Sequence, residues 1–263
     1  MKFYVIPPNK HLDLMHEGDS YFALCHHYLE DSEYRQYFLD LRKSRPDAWI
    51  TMDNSAAEHS LVTEDQLIGV VKELKPNEVI APDVLFDRDQ TLKNLYSFIN
   101  KMDNQGLRTH TRLFGCPQGS TKSEWLDCYY KMLLTGELDT IGLSKIAVPK
   151  AWNNVTGDQR IAESRNQCIS ELFERGYLVK PVHLLGMGEH TEFDFYLQNK
   201  FPNIRSSDSC YTVLAAINGI DFESGNTTRI PTTNDYFNTC LTSEQIELAK
   251  KNINYLKTKY KSV

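Results

Sequence analysis

Three aspartates in this sequence each follow a short β-like segment, where a parallel sheet would bring their carboxylates together. Asp53 follows AWITM, Asp83 follows EVIAP and Asp208 follows NIRSS. Carboxylates crowded together are costly unless they are used, because each negative charge disfavours ionisation of its neighbours. Grouped carboxylates suit general acid–base catalysis and nucleophilic catalysis. These three residues are therefore candidate functional groups.

Polar and small residues at the ends of three further β-like segments complete the candidate site. In chain order they are Gln118, Gly119, Ser144, Lys145, Leu185 and Gly186. Amide and backbone N–H groups could bind a substrate carbonyl, and a leucine could pack on a flat ring. Each residue also has an ordinary structural interpretation, since glycines form turns and leucines fill cores.

Asp208 carries a competing interpretation, because it precedes the apolar helical run SCYTVLAAI. A short acidic residue before a helix usually caps it by accepting a hydrogen bond from a backbone N–H of the first turn. The sequence leaves both roles open, a helix cap and a carboxylate that performs chemistry.

Eight β-like segments alternate with segments of helical periodicity. They read FYVIP, YFALC, AWITM, EVIAP, RLFGC, TIGLS, VHLLG and NIRSS. This alternation, without a long linker, predicts an α/β protein with a single (β/α)8 TIM-like barrel over residues 1–263 and a C-terminal helix. A doubly wound open sheet is the competing architecture, but no glycine-rich dinucleotide fingerprint follows the first strand. Active sites of such barrels lie at the carboxyl ends of the strands, where the candidate residues stand.

Capping boxes mark two helix starts. Thr63 with Gln66 and Thr242 with Gln245 have the spacing at which side chain and backbone satisfy each other at a helix start. The second box opens the predicted C-terminal helix. Between the first two strands only HLDLMHEG is available, which makes the first β/α unit the weakest part of the barrel prediction.

The composition is that of a mildly acidic globular protein. The chain has 263 residues, 41% of them hydrophobic, and a net charge of −6, which argues against a protein that coats nucleic acid but permits a local binding patch. Its apolar runs are too short for a bilayer and its start lacks the form of a signal peptide, so we predict no membrane partner and a cytoplasmic location. Its six cysteines lack the close pairing of structural zinc sites, so we expect no metal and no cofactor.

The segments RLFGCPQGST and HLLGMG resemble motifs of the tRNA-guanine transglycosylase family. That family carries a phenylalanine-glycine and glutamine-glycine segment and a later leucine- or methionine-glycine-x-glycine segment. Its other landmarks follow in order: a strand-end aspartate matches Asp53 in MDNSAA, a base-recognising aspartate matches Asp83 in IAPD, and the catalytic aspartate matches Asp208. Each motif is short, but the ordered set is fairly specific and spans Asp53 to Asp208.

The resemblance implies an enzyme that exchanges one base for another at C1′ of a sugar, a pentosyltransferase. Asp208 would be the nucleophile, because a carboxylate stabilises and captures an oxocarbenium-like centre. Asp53 would manage protons, helping guanine leave and accepting the N9 proton of the incoming base. Two displacements of this kind retain configuration and need no energy-rich cofactor.

The resemblance also implies how guanine would be read. Asp83 would accept hydrogen bonds from N1–H and the exocyclic amine, a donor pair that adenine cannot offer. Gln118, with backbone N–H groups near Gly119 and Ser144, would bind the O6 carbonyl, and the match places Gly186 beside this pocket. Candidates for stacking on the base are Phe86, Leu185 and Met187.

Departures from the family pattern bear on the nucleic acid. Members that modify tRNA hold zinc beyond the nucleophile with three cysteines and a histidine, but only Cys210 and Cys240 follow the eighth strand here, and no histidine follows His190. The predicted barrel therefore lacks the zinc subdomain. This favours the compact branch that inserts 7-deazaguanines such as preQ0 into DNA in bacteria and their viruses. For a viral protein the location would be the host cytoplasm.

Three alternatives stay open: a tRNA-guanine transglycosylase of the queuosine or archaeosine type, a non-catalytic guanine-binding barrel, and an unrelated small-molecule hydrolase. A homodimer is compatible with the sequence. Without a zinc subdomain, we expect nucleic acid to be held by a short charged surface made of Lys145, Arg205 and the lysines of the last helix. Those lysines are Lys250, Lys251, Lys257, Lys259 and Lys261.

Overall fold

Eight parallel strands form one sheet in this computed structural model, which describes residues 1–57, 62–156, 160–225, 230 and 235–263. The strands are β1 Lys2–Val5, β2 Tyr21–Leu24, β3 Ile50–Asp53, β4 Glu78–Ile80, β5 Arg112–Gly115, β6 Thr140–Ser144, β7 Val182–Leu185 and β8 Ile204–Ser209. Their order is β1-β8-β7-β6-β5-β4-β3-β2, and an isolated bridge from Tyr4 to Ser20 joins the two edges. The prediction of a (β/α)8 barrel is confirmed, because all eight β-like segments form strands of one nearly closed sheet.

Helices connect the strands and cover the outside of the barrel. They are α1 Cys25–Glu30, α2 Ser32–Ser44, α3 Glu64–Leu74, α4 Arg88–Asn104, α5 Lys122–Leu134, α6 Ala147–Asn153, α7 Ile161–Glu174, α8 Glu192–Asn199, α9 Tyr211–Ile217 and α10 Ser243–Lys259. Both predicted capping boxes are present, at Thr63 and Thr242, and Thr121 forms a third. None of the described helices is long and apolar enough for a membrane crossing.

The first β/α unit departs from the regular pattern, as its short connection suggested. A 3₁₀ segment, Asn9–Glu17, replaces the α-helix and is kinked at His11. It still buries Leu12, Leu14 and Met15 against the barrel. Helix α10 packs on both this segment and β1. The C-terminal helix therefore covers the part of the barrel where the first connection provides no α-helix.

The core has two parts because both faces of a parallel barrel sheet are buried. The larger part lies between the strands and the helices. The smaller part fills the barrel interior and consists of Tyr4, Phe22, Leu24, Ile80, Phe114 and Cys116. Large aromatic rings thus fill the middle of the barrel, and the space left for a ligand lies above them at the carboxyl ends of the strands.

A buried ion pair lies at the opposite end, the floor of the barrel. Glu78, fully buried at the start of β4, receives two hydrogen bonds from the Arg205 guanidinium, at 3.0 and 2.8 Å, and a third from Thr140 at 2.5 Å. The predicted use of Arg205 in a short charged surface for nucleic acid has no support in these contacts, because its guanidinium is paired with Glu78. Arg205 stands near the start of β8, and its charge is used inside the barrel.

Replacing Glu78 with glutamine should destabilise the fold by about 3 kcal/mol, because it leaves the Arg205 charge uncompensated in the barrel floor. Urea unfolding would measure this as a lower midpoint at unchanged slope. The matched control is Glu247→Gln, which removes an exposed carboxylate that pairs with Lys250 on α10. That change should lower the unfolding midpoint far less, because solvent screens an exposed pair. Equal losses in the two variants would contradict a structural role for the floor pair.

Candidate active site at the mouth of the barrel

A cavity of about 140 Å³ opens at the carboxyl ends of the strands. It is lined by eight of the residues singled out in the sequence: Asp53, Asp83, Gln118, Ser144, Lys145, Leu185, Gly186 and Asp208. The volume is smaller than the roughly 300–1,000 Å³ of drug-sized ligand sites, so it suits a single small planar group with the rest of the substrate outside. The three aspartates share this one cavity, as their positions at strand ends suggested.

Asp208 is held from inside the barrel and does not cap the following helix. Its Oδ1 lies 2.8 Å from His183 Nε2 and accepts a 3.1 Å hydrogen bond from the backbone N–H of Gly186. Helix α9 begins after Cys210 without a side-chain cap, and the nearby Ser209 hydroxyl accepts the N–H of Tyr211. The cap interpretation of Asp208 is therefore wrong, and its carboxylate lines the cavity instead.

His183 is a site residue that the sequence did not reveal. It is fully buried in β7, with its ring stacked on Phe22 and packed against Tyr4 and Phe114. Burial lowers the pKa of His183 below its usual value, and the neighbouring Asp208 carboxylate only partly offsets this effect. The imidazole is thus neutral at neutral pH. A single histidine in the apolar segment VHLLG matches no sequence motif. The pairing of β7 with β8 places its side chain beside Asp208.

The peptide group between Leu185 and Gly186 is held at both ends. Its N–H donates to Asp208, and its carbonyl accepts hydrogen bonds from the backbone of Lys145 at 2.9 Å and from buried Arg165 at 3.3 Å. Gly186 has φ +70°, and a Cβ there would lie 2.5 Å from Cδ of Lys145. Only glycine meets both the left-handed conformation and the close approach.

Asp83 lies in a recess at the side of the cavity with both carboxylate oxygens bound by amides. Asn54 donates to Oδ1 at 2.6 Å and Gln118 donates to Oδ2 at 2.5 Å. Burial raises the pKa of Asp83 to about 6, against the opposing effect of these two donors. A carboxylate has about four lone-pair sites, so it can accept further donors, such as a pair from a planar base, beside these two amides. Asn54 belongs to the MDNSAA segment, and the sequence predicted no role for it.

Gln118 and Gly119 have different environments from those predicted. The Gln118 side-chain NH₂ is engaged by Asp83 and Cys116, and its carbonyl accepts the Phe86 N–H at 3.1 Å. It therefore orients Asp83 and does not present a free amide to a base. Gly119 lies outside the cavity lining, packed so closely on the first turn of α5 that a Cβ would meet the backbone N of Trp125 at 2.4 Å. The need for glycine at this position is a packing requirement.

A strained turn after β3 orients Asp53. The Asp53 carboxylate accepts the N–H of Ser55 at 2.9 Å, and Ser55 adopts φ +63° although it is not glycine. The Ser55 hydroxyl accepts the backbone N–H of His26 at 3.2 Å and lies 2.8 Å from His26 Nδ1. Burial lowers the pKa of His26, so its neutral ring can accept the Ser55 hydroxyl hydrogen. Left-handed backbone in a non-glycine residue costs about 1 kcal/mol or more and tends to occur at functional sites.

Ser144 and Lys145 form the side of the cavity after β6. The Ser144 hydroxyl accepts the backbone N–H groups of Ile146 and Ala147, at 3.0 and 3.2 Å, which starts the turn into α6. The aliphatic part of Lys145 lies over Gly186. Ser144 thus shapes the loop on which Lys145 stands.

Only one of the three predicted stacking residues reaches the cavity. Leu185 lines it, whereas Phe86 is absent from the lining and Met187 is buried in the outer core. Two aromatic rings that the sequence did not single out, Phe22 and Phe237, also contact the cavity. Phe22 lies within the barrel filling, so half-buried Phe237 is the aromatic residue available at the rim.

The lysines of α10 do not form a free basic surface. Four of them have acidic partners within 4 Å: Lys250 with Glu247, Lys251 with Asp221 and Glu223, Lys257 with Asp19, and Lys259 with Asp194. Their charges are largely compensated, as expected for an ordinary solvated helix face. The predicted phosphate-binding surface on this helix therefore has no support in these contacts.

Among the described residues, no group of three or more histidine, cysteine, aspartate or glutamate side chains is arranged to hold a metal ion. Cys210 is half-buried and Cys240 is exposed. Full activity without added zinc stays a prediction, and metal analysis of the purified protein is the measurement that checks it.

No protein-family model and no curated protein matches this chain. A solved structure from Aquifex aeolicus VF5, titled a structural study of a project protein, aligns at 12% identity and a TM-score of 0.54 over 98% of this chain and 91% of that chain. An N-acetylneuraminate lyase from Mycoplasma synoviae aligns at 12% identity and a TM-score of 0.43 over 98% of this chain and 97% of that chain. The first likeness supports the fold alone, and the second is too distant to carry an argument.

Proposed function

We propose that this protein is a base-exchange transglycosylase that replaces guanine in DNA with a 7-deazaguanine through a covalent aspartyl-glycosyl intermediate. The observation that carries the proposal is the setting of Asp208. Its carboxylate lines the cavity, its Oδ1 is fixed by His183 and Gly186, and it is not used as a helix cap. A carboxylate held at one oxygen is suited to attack a sugar carbon with the other.

In the first displacement, Oδ2 of Asp208 forms a bond to C1′ as the bond from C1′ to N9 of guanine breaks. The electron pair of the broken bond passes to the base, and Asp53 supplies the proton that the departing guanine needs. Both residues line the same cavity, which general acid catalysis requires. The product of this step is a sugar ester of Asp208.

In the second displacement, Asp53 takes the N9 proton of the incoming 7-deazaguanine, and N9 attacks C1′. The C1′–Oδ2 bond breaks and its electron pair returns to the Asp208 carboxylate. Two inversions give net retention, as in retaining glycosidases. A base in a stacked duplex cannot reach a barrel mouth, so the substrate nucleotide must be flipped or single-stranded.

Asp83 accounts for the choice of base in this proposal. Asn54 and Gln118 fix the plane of its carboxylate, whose two oxygens can then face the N1–H and exocyclic amine of guanine side by side. A 7-deazaguanine keeps this donor pair, whereas adenine lacks it. Substituents at position 7 would extend away from that edge of the base.

We expect kcat/KM to fall about tenfold for each pH unit below about 6, because Asp83 must be ionised to accept two donors and burial raises its pKa to about 6. Asn54→Ala should move the acid limb to higher pH, since it removes a hydrogen bond that favours the ionised form. An acid limb that does not move in Asn54→Ala would assign it to a different group.

The choice of DNA rests on the resemblance and on the missing cysteine and histidine ligands. The test is incorporation of radiolabelled guanine and of 7-cyano-7-deazaguanine into single-stranded DNA, duplex DNA and tRNA side by side. We expect labelling of DNA, strongest where the strand is already open because flipping then costs less, and binding that weakens with salt. Faster labelling of tRNA with DNA inert at low salt would make the protein a tRNA modifier. Guanine binding without exchange into any nucleic acid would favour a non-catalytic barrel.

A further inference from the structure

A continuous line of polar contacts runs through the barrel from its floor to Asp208. Glu78 binds the Arg205 guanidinium, and Arg205 Nε donates to the Ser206 hydroxyl at 3.1 Å. Ser206 Oγ lies 2.7 Å from His183 Nδ1, and His183 Nε2 lies 2.8 Å from Asp208 Oδ1. The line joins a permanently charged group at one end of the barrel to the proposed nucleophile at the other.

The chemistry of each group fixes the direction of donation. Arg205 has only donors, so Ser206 Oγ accepts from it. An ionised Asp208 has only acceptors, so the facing Nε2 of His183 carries a hydrogen. Burial among aromatic rings lowers the pKa of His183, so its other nitrogen, Nδ1, is an acceptor. The remaining hydrogen in the line, that of the Ser206 hydroxyl, then donates to Nδ1. From Arg205 onward, each bond of the line donates toward Asp208.

We propose that Arg205 and Ser206 are positioning residues that hold His183 as a neutral Nε2–H donor, and that this donor speeds the second displacement. The kinetic part rests on the proposed function. In the sugar ester, Oδ1 of Asp208 is an ester carbonyl oxygen, a weaker acceptor than a carboxylate oxygen. Donors at Oδ1 therefore stabilise the departing carboxylate more than the ester. In the first displacement the reactant is already a carboxylate. Donors at Oδ1 therefore stabilise the reactant at least as much as the transition state, and they do not speed that step.

The first experiment tests the line without using activity. Long-range ¹H–¹⁵N spectra of protein labelled at histidine distinguish protonated from bare ring nitrogens, and a His183→Gln sample identifies the His183 signals. We expect a protonated Nε2 and a bare Nδ1 at neutral pH and above. A protonated Nδ1 at neutral pH would overturn the proposal, whatever the protein's reaction.

The second experiment compares two adjacent buried serines. Ser206→Ala removes the donor to His183, whereas Ser207→Ala removes a hydroxyl that donates to the Leu184 carbonyl at 2.9 Å and serves as the matched control. We expect Ser206→Ala to slow exchange about fivefold to tenfold and to raise the fraction of protein trapped as the covalent adduct. Ser207→Ala should change neither. The same adduct fraction in both variants would overturn the assigned role of Ser206.

These two readouts separate failure of this inference from failure of the proposed function. Wild-type protein that exchanges no base in any nucleic acid would refute the transglycosylase, and the ring spectrum would still decide whether the donor line exists. Should Ser206→Ala fail to fold, Ser206→Cys keeps a weak donor in nearly the same volume. Its adduct fraction should exceed that of the wild-type protein, because a thiol donates more weakly than a hydroxyl, and a wild-type value would overturn the assigned role of Ser206.

Discussion

Replacing Asp208 with asparagine should lower base exchange by at least about a thousandfold, with no covalent adduct, while the protein stays folded. The amide oxygen of asparagine can accept from His183 and Gly186 as the Oδ1 of Asp208 does. What is lost is the negative oxygen that attacks C1′. Incorporation of labelled guanine measures the activity, and thermal unfolding measures the fold.

Asp221→Asn is the matched control for this variant. Asp221 is a genuine capping aspartate, whose side chain accepts the N–H of Glu223 at the start of a 3₁₀ turn. The same chemical change there should leave exchange unaltered. Near-native exchange by Asp208→Asn would remove Asp208 from the chemistry and return the site to a binding role.

Replacing Asp83 with asparagine should lower kcat/KM for guanine by roughly a hundredfold to ten-thousandfold, because a site built to pair with two donors would present a donor of its own. The NH₂ group of the new asparagine would also face the NH₂ group of Asn54 or Gln118, both of which donate to Asp83 in the wild-type protein. Steady-state exchange at saturating nucleic acid and varied free base measures this loss. The fold should survive, because burial already disfavours the charged form of Asp83, as its raised pKa shows.

Asp87→Asn provides the comparison, since Asp87 lies four residues further along the chain and caps α4 by accepting the N–H of Gln90. That variant should exchange bases at the wild-type rate. Equal activity of the two variants would show that Asp83 does not read the base. The pH profile also distinguishes the two variants. The acid limb should be absent in Asp83→Asn and present in Asp87→Asn.

The barrel could be predicted from sequence because its evidence is local and repeated. The capping boxes at Thr63 and Thr242 fix helix starts with a few neighbouring residues, and eight β-like segments recur between helices. In a parallel barrel, strand ends meet at one rim whatever the details of packing. That rule alone placed Asp53, Asp83 and Asp208 around one cavity.

The roles within the cavity depend on contacts between distant segments, which local patterns do not contain. Gly119 and Gly186 both follow strands, yet one packs on a helix and the other holds a backbone N–H toward Asp208. Arg205 looked available from its neighbours in sequence, but its partner, Glu78, is 127 residues away. His183 gave no signal because only the pairing of β7 with β8 brings it to Asp208.

The strands of the barrel are not paired equally well around its circumference, because β1 and the start of β2 are joined by the isolated bridge between Tyr4 and Ser20. The other seven neighbouring strand pairs are joined by ladders, so separating them means breaking several hydrogen bonds together. At the remaining junction one described bridge takes the place of a ladder, and beside it the Asp19 N–H donates to the Phe3 carbonyl at 2.8 Å. Few hydrogen bonds must therefore break for this junction to open locally. Ile6 and Leu24 flank this junction and line the cavity. We expect the mouth to open first on this side, which in the proposed function would widen it for the nucleotide while the laddered strands stay paired.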